Sequence, residues 1–299
     1  MSDTPALREE FGPRSTAAAF MVAAAAFIAA TTLLAKALGT PALGAPLHPF
    51  QITFGRFAFA ALAVGAVVVA LRPAIGFGQW RWHALRVLFG WGGVTLMFAS
   101  VATIPLAEAT AISFLNPIVA MVLAVLFLGE RVGPVRWSAA AIALAGGLLL
   151  IRPGAGVFAP GALLALGAAL ALGAEVLLIK RLTRREGPLT ILAFSNGIGV
   201  IFATLTALPV WQAPTGAQWT AMAALGLAMA CAQGCFVNGL RRAETSFVTP
   251  FTYLTLVFAG VYDLMLFGTL PDAVGWTGAG LIVAGALTLA WREGRAVRA

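Results

Sequence analysis

Apolar residues occupy this chain in long, nearly unbroken blocks, and the polar positions gather between them. A bilayer core asks for about 20 apolar residues per helix. Windows of that length fall at roughly 16–37, 50–71, 84–104, 107–128, 136–151, 160–180, 189–210, 219–240, 247–268 and 275–291. The pattern predicts an all-α polytopic membrane protein of ten transmembrane helices, the fifth of them short. The connections are brief and rich in Gly, Pro and Trp, as in "LRPAIGFGQWRW" (71–82) and "PVWQAPTGAQW" (209–219). No remaining stretch is long enough for a soluble domain.

Composition agrees. Of the 299 residues 61% are hydrophobic and 10% charged, against about 25% charged in an average soluble domain. The formal charge of +8 would suggest nucleic acid in a soluble protein, but in a membrane chain basic residues mark the cytoplasmic loops. The first fifteen residues carry Asp3, Glu9 and Glu10, and the apolar run behind them is too long for a signal peptide. It reads as a retained first span. Cys231 and Cys235 share one helix face with no second pair beside them, which suits packing rather than metal or disulfide.

Orientation follows from charge. With the N-terminus in the cytoplasm, the inner side holds sixteen of the nineteen Lys and Arg, among them Arg72, Arg81, Arg86, Arg131, Arg136, Lys180, Arg181, Arg241 and Arg242. Only Lys36 and Arg152 fall outside, and Arg56 lies within the second span. That bias predicts both termini in the cytoplasm. Trp80, Trp82, Trp137 and Trp291 fall near inner helix ends and Trp211, Trp219 and Trp276 near outer ones, as interfacial belts do.

The chain also repeats itself. "TTLLAKAL" (31–38) returns as "EVLLIKRL" (175–182), and five spans separate the two. Five is odd, so Lys36 and Lys180 are expected on opposite sides of the membrane. A second match starts at Ser113 and at Thr252, 139 residues on; it pairs Phe114 with Tyr253, Gly129 with Gly268, Trp137 with Trp276 and Gly146 with Gly285. The expected organisation is a tail at 1–15, a five-helix unit at 16–151, an inverted copy at 152–291, and a tail at 292–299. Inverted repeats are a signature of secondary transporters, whose site lies between the halves near mid-membrane.

With "FLNPIVAMVLAVLFLGERVGPVRWSAAAIALAGGLLLI" in the first repeat, the chain resembles the EamA-type branch of the drug/metabolite transporter superfamily. The element that carries the resemblance is a central proline, an apolar run, Gly-Glu, then a Gly-rich span: Pro117, Gly129, Glu130, Gly146 and Gly147. The second copy departs from it, with Leu256 in place of the proline and Gly268-Thr269 in place of Gly-Glu. The resemblance implies a bacterial inner-membrane carrier, commonly an exporter, and "VNGL" (237–240) is similar to the exporters of amino acids, aromatic ones included. The small four-span drug exporters of the superfamily carry an acid in their first span. Here Thr31 stands at the position that Glu175 takes in the repeat, so their antiport scheme does not carry over directly.

Ionisable residues inside a span cost about 2.5–3.5 kcal/mol each at the helix centre. Glu175 and Asp263 are therefore candidates for coupling or gating, by binding protons or a substrate ammonium. Arg56 is a candidate to hold a substrate carboxylate bidentately. Pro117 removes a backbone hydrogen bond beside Asn116, which makes it a gate candidate. Uncharged polar groups have little reason to face lipid, so Thr95, Ser113, Asn116, Gln233 and Asn238 are candidate cavity residues, with Trp91 and Tyr253 as aromatic walls. His48 and His83 are expected at the surface.

The chain has no H-E-x-x-H, no G-x-S-x-G and no P-loop, so neither an enzyme nor direct use of ATP is expected. No cofactor or metal is implied. The expected function is a secondary transporter exporting amino acids and related small metabolites by alternating access. Its partners are a small-molecule substrate and the lipid bilayer, without nucleic acid; the oligomeric state stays open. The alternatives are export of cationic drugs, or of sugar or nucleotide derivatives, and, outside transport, a membrane scaffold.

Overall fold

The computed structural model describes residues 14–76, 78–101, 112–151, 160–267 and 273–296. Among them the long elements are α1 (Arg14–Leu38), α2 (Pro49–Leu71), α3 (Trp80–Val101), α4 (Asn116–Leu128), α5 (Pro134–Ile151), α6 (Pro160–Thr183), α7 (Pro188–Ala207), α8 (Gly216–Arg242), α9 (Leu254–Phe267) and α10 (Ala273–Ala296). Four of these ten, α2, α5, α6 and α7, open on proline, whose missing N–H costs nothing in a first helical turn. Helix α8 opens instead on a reciprocal cap between Thr215 and Gln218. The protein is an all-α polytopic membrane protein. Six stretches, Arg14–Leu38, Pro49–Leu71, Pro160–Thr183, Pro188–Val210, Gly216–Arg242 and Thr245–Tyr262, are long and apolar enough to cross a bilayer, and α4, α5 and α10 contain shorter apolar runs. Leu62, Val69, Phe127, Leu163 and Met265 are each more than 60% exposed, a coat that lipid solvates and water does not. The buried positions are dominated instead by alanine, among them Ala17, Ala24, Ala120, Ala124, Ala165 and Ala168, and small residues let helices approach closely where lipid supplies no hydrophobic drive.

Contacts fix the helix directions. Gly239, late in α8, packs on Met21 and Ala17, early in α1. Gln218, early in α8, donates to the Ala45 carbonyl just beyond α1. The two helices are antiparallel. Gly55 of α2 meets Met222 and Gly226 meets Ala60, so α2 runs with α8. Gln51, in the first turn of α2, exchanges hydrogen bonds of 2.6 and 3.1 Å with Gln212 beyond the end of α7, so α2 and α7 oppose each other. Helix α7 therefore runs with α1, and α6, joined to α7 by a short turn, runs against α1. The second unit is upside down relative to the first, and Lys36 and Lys180 sit at opposite ends of the bundle.

The main packing pairs are α1 with α8, α3 with α6, α2 with α7, α2 with α8, α5 with α10, α4 with α6 and α1 with α9. Moving every helix five places along turns α1–α8 into α6–α3 and α4–α6 into α9–α1, while α2–α7 and α5–α10 map onto themselves. The halves are interlaced, not set side by side. The self-mapping α5–α10 seam shows the register directly. A Cβ on Gly146 would stand 2.6 Å from the Gly278 carbonyl oxygen, and one on Gly285 would stand 2.9 Å from that of Ala139. Gly146 and Gly285 are 139 residues apart, as are Ala139 and Gly278, so this is one contact made twice.

The fourth and ninth spans are broken at matching places. Helical residues Ile112 and Ser113 give way to a turn at Phe114–Leu115, and α4 restarts at Asn116. Pro117 thus lies in a first turn and does not kink a continuous helix; the Ser113 carbonyl accepts from Asn116 Nδ2 at 2.8 Å. In the second copy a one-turn helix at Thr245–Val248 and a 3₁₀ stretch at Thr249–Tyr253 precede α9. Pro250 supplies the break there, which explains how Leu256 can replace the proline of the first copy.

One end of the bundle carries a polar clamp. Gly129 ends α4 with φ +68°, a left-handed turn that favours glycine. The next residue, Glu130, accepts from the backbone N–H groups of Thr245 and Ser246 at 2.9 and 3.1 Å, at the positive end of the single turn they open. Arg136 pairs with Glu244 and donates to Ser246 Oγ at 2.8 Å. Lys180, 2% exposed, donates to the carbonyls of Leu240 and Ala243 at 2.7 and 2.8 Å, capping the end of α8. His83 is fully buried, stacked on Phe194 at 4.3 Å and bonded to Glu186 at 2.6 Å. The surface expectation for His83 is corrected: a helix start next to another helix end is an interior position here. Lys180 and Arg136 are likewise buried clamps rather than loop charges.

Candidate functional site: a cavity where the halves interlace

A cavity of about 360 Å³ lies in the middle of the bundle, reached by α1, α2, α3, α6, α7 and α8 and by the starts of α4 and α9. Its size is within the usual range for a small-molecule site. Glycines make the room. Gly199 faces the Phe57 ring so closely that a Cβ would stand 2.3 Å from it, and Gly90 does the same for the carboxylate of Glu175 at 2.8 Å. The wall is apolar and aromatic, with Phe57, Trp91, Phe114, Phe202 and Phe236; the rings of Trp91 and Phe202 are 5.9 Å apart.

Among the described residues, three ionisable side chains line this space: Arg56 of α2, Arg86 of α3 and Glu175 of α6. Arg86 Nη2 is 3.3 Å from Glu175 Oε1, with side chains 4% and 23% exposed. The Nε and Nη1 of Arg86 and the Nε of Arg56 are buried and have no hydrogen-bond partner among the described residues. The Arg56 guanidinium stacks over Phe57 at 4.7 Å. Opposite, Gln233 of α8 accepts from Asn196 Nδ2 at 2.9 Å, and both Gln233 and Ser195 line the cavity.

The candidate residues separate into two groups. Arg56, Trp91, Asn116, Glu175 and Gln233 meet at the cavity. Thr95 turns back on the Trp91 carbonyl at 2.9 Å, and Asn238 on that of Gly234 at 2.8 Å. Tyr253 is fully buried and donates to the Phe114 carbonyl at 2.7 Å, and Ser113 and Pro117 are buried in the α4 break. Those five are outside the lining. Asp263 belongs to α9, and its side chain lies outside the described residues. Arg86 was not among the candidates, because an arginine near a helix end counts as a loop charge in hydropathy terms. The signal for it was local: in "RVLFGW" (86–91) an isolated arginine is followed only by apolar residues, with Gly90 and Trp91 one turn further on.

The EamA-like transporter family model matches residues 15–152 and again 159–291. The chain belongs to the EamA-like transporter family. It is thus a membrane transporter of the drug/metabolite superfamily and not an enzyme. This EamA-like chain is 33% identical over 220 residues to a riboflavin transporter of Rhizobium johnstonii, covering 73% of this chain and 72% of that one. It is 25% identical over 263 residues to an S-adenosylmethionine uptake transporter of Rickettsia bellii, covering 85% and 88%. A solved crystal structure shares the fold with a TM-score of 0.78 at 22% identity, over 94% of this chain and 99% of that one.

The EamA-like cavity gives a test of how Glu175 is held. Gly90→Ala puts a methyl group where the carboxylate now lies. Alanine gains about 1 kcal/mol over glycine inside a helix, which offsets the strained Arg86–Glu175 contact, so the melting temperature in detergent is expected to change little. Transport is expected to fall about tenfold, the worth of one charge-assisted contact. Unchanged flux in Gly90→Ala would show that the carboxylate position is immaterial.

Proposed function

We propose that this chain is a secondary carrier that exports amino acids and related small metabolites by alternating access. Its polar-clamped end, rich in basic residues, faces the cytoplasm of a bacterial inner membrane, with 1–15 and 292–299 as tails on that side. The observation that carries this is the cavity at the crossing of two inverted units, where two guanidiniums and one carboxylate stand among aromatic rings. A carboxylate has bidentate partners there, and an apolar side chain has Phe57, Trp91 and Phe202. Two units of opposite orientation give inward-open and outward-open states of similar energy, a property that a scaffold does not need.

Counterflow in proteoliposomes tests it, with labelled amino acids run beside riboflavin, S-adenosylmethionine and an organic cation. Exchange of amino acids is the expected result. Clear exchange of one of the others with no amino acid moving overturns the substrate, and no exchange of anything overturns the carrier.

A further inference from the structure

Resting on that carrier reading, we infer that the cavity ranks its ligands by charge: among aromatic metabolites it binds the acid with a single carboxylate most tightly, ahead of the amide and the amine, and carries the zwitterionic amino acid as a weaker-binding substrate. The charge count is the starting point. Among the described lining residues the ionisable groups are Arg56, Arg86 and Glu175, two cations against one anion. Arg86 is 3% exposed and spends one nitrogen on Glu175, leaving Nε and Nη1 without acceptors among the described residues, and Arg56 Nε is in the same condition. A buried charged donor without an acceptor is costly. Two guanidiniums with such donors suit one further anionic acceptor, and a carboxylate takes two N–H groups at once.

Each competitor binds more weakly for a stated reason. An amide brings an acceptor but no charge. A zwitterion brings the carboxylate together with an ammonium, which must either meet two guanidiniums or draw Glu175 away from Arg86. The second course strands a guanidinium that has almost no access to water. An amine has only that course. The body of the ligand is set by the rings: Phe57, Trp91, Phe202 and Phe236 border the space and offer faces and edges to another flat ring.

Calorimetry on the full chain in nanodiscs tests this with four compounds on one phenyl body: phenylpropionate, phenylpropionamide, phenylalanine and phenylpropylamine. Phenylpropionate is expected to bind about tenfold or more tighter than the other three. In Arg56→Gln that preference is expected to shrink to less than about threefold, with the Arg86–Glu175 pair intact. The wild-type ranking needs no variant, so a misfolded Arg56→Gln leaves the proposal open to refutation. Equal binding of acid and amide overturns it, as does tighter binding of phenylalanine or binding of none of the four. Counterflow with the same compounds separates the two ideas. Binding of phenylpropionate without its exchange breaks the carrier reading alone, while exchange of all four at equal rates breaks the charge selection alone.

Discussion

Glu175→Leu is expected to destabilise this protein more than Arg86→Met, although both break the same ion pair. Removing one partner of a buried pair costs about 3–5 kcal/mol because it strands the other charge. The Glu175 side chain is 23% exposed and the Arg86 side chain 4%. Without Arg86, the carboxylate is still wetted by the cavity and still near Arg56, so about 2–3 kcal/mol is expected, below the buried range. Without Glu175, the guanidinium has no such relief, and the full 3–5 kcal/mol applies. The double variant Arg86→Met with Glu175→Leu should regain most of the lost melting temperature and none of the transport. Thermal melting in detergent and proteoliposome flux read the two halves of the prediction. If Arg86→Met proves the more damaging single change, cavity water does not reach the carboxylate.

The second large effect is expected on the α5–α10 seam. In Gly146→Ala the new methyl group would meet the Gly278 carbonyl oxygen at 2.6 Å and the Ile282 nitrogen at 2.9 Å. Both are backbone atoms, so two helices must separate. Overpacking of this kind costs about 1–3 kcal/mol, and Gly146→Leu is expected to give little folded protein. The neighbouring Gly147→Ala is the control. Its nearest atom is a Leu256 methyl at 3.3 Å, which can rotate aside, and a loss below about 0.5 kcal/mol is expected. Equal melting temperatures for the two alanine variants would remove the seam as a structural constraint. Gly285→Ala should copy Gly146→Ala, since its Cβ would meet the symmetry-related Ala139 carbonyl.

Much of the fold was legible because a bilayer imposes one period on the whole sequence. Long apolar blocks must be helices, and the 139-residue match paired Gly146 with Gly285 as equivalent positions, which the twice-made α5–α10 contact reflects. The interlacing of the halves was not legible, since nothing in hydropathy says which helices touch. The site was legible by residue type and not by direction. Helices that are apolar around their whole circumference show no polar stripe to mark the inner face. Gln233 and Asn238 lie five residues apart on α8, and only Gln233 reaches the cavity. The repeat matches Phe114 with Tyr253, and Tyr253 was expected as an aromatic wall with Trp91. In the structure the rings of Phe114 and Tyr253 stack at 5.7 Å, and the Tyr253 hydroxyl closes on the Phe114 backbone, so the tyrosine is spent on joining the two broken spans. Arg86 shows the opposite error: position near a helix end concealed a buried charge.

The two guanidiniums and single carboxylate have an electrical consequence. In the proposed alternating-access cycle, an unoccupied cavity whose described ionisable groups carry one surplus positive charge would expose that charge to part of the voltage across the bilayer, worth about 2.3 kcal/mol per charge for each 100 mV fully crossed. A bound monoanion cancels that surplus. On the proposed export cycle, reorientation of the empty protein is then the voltage-sensitive half, and a negative cell interior would draw the vacant cavity back towards the cytoplasm.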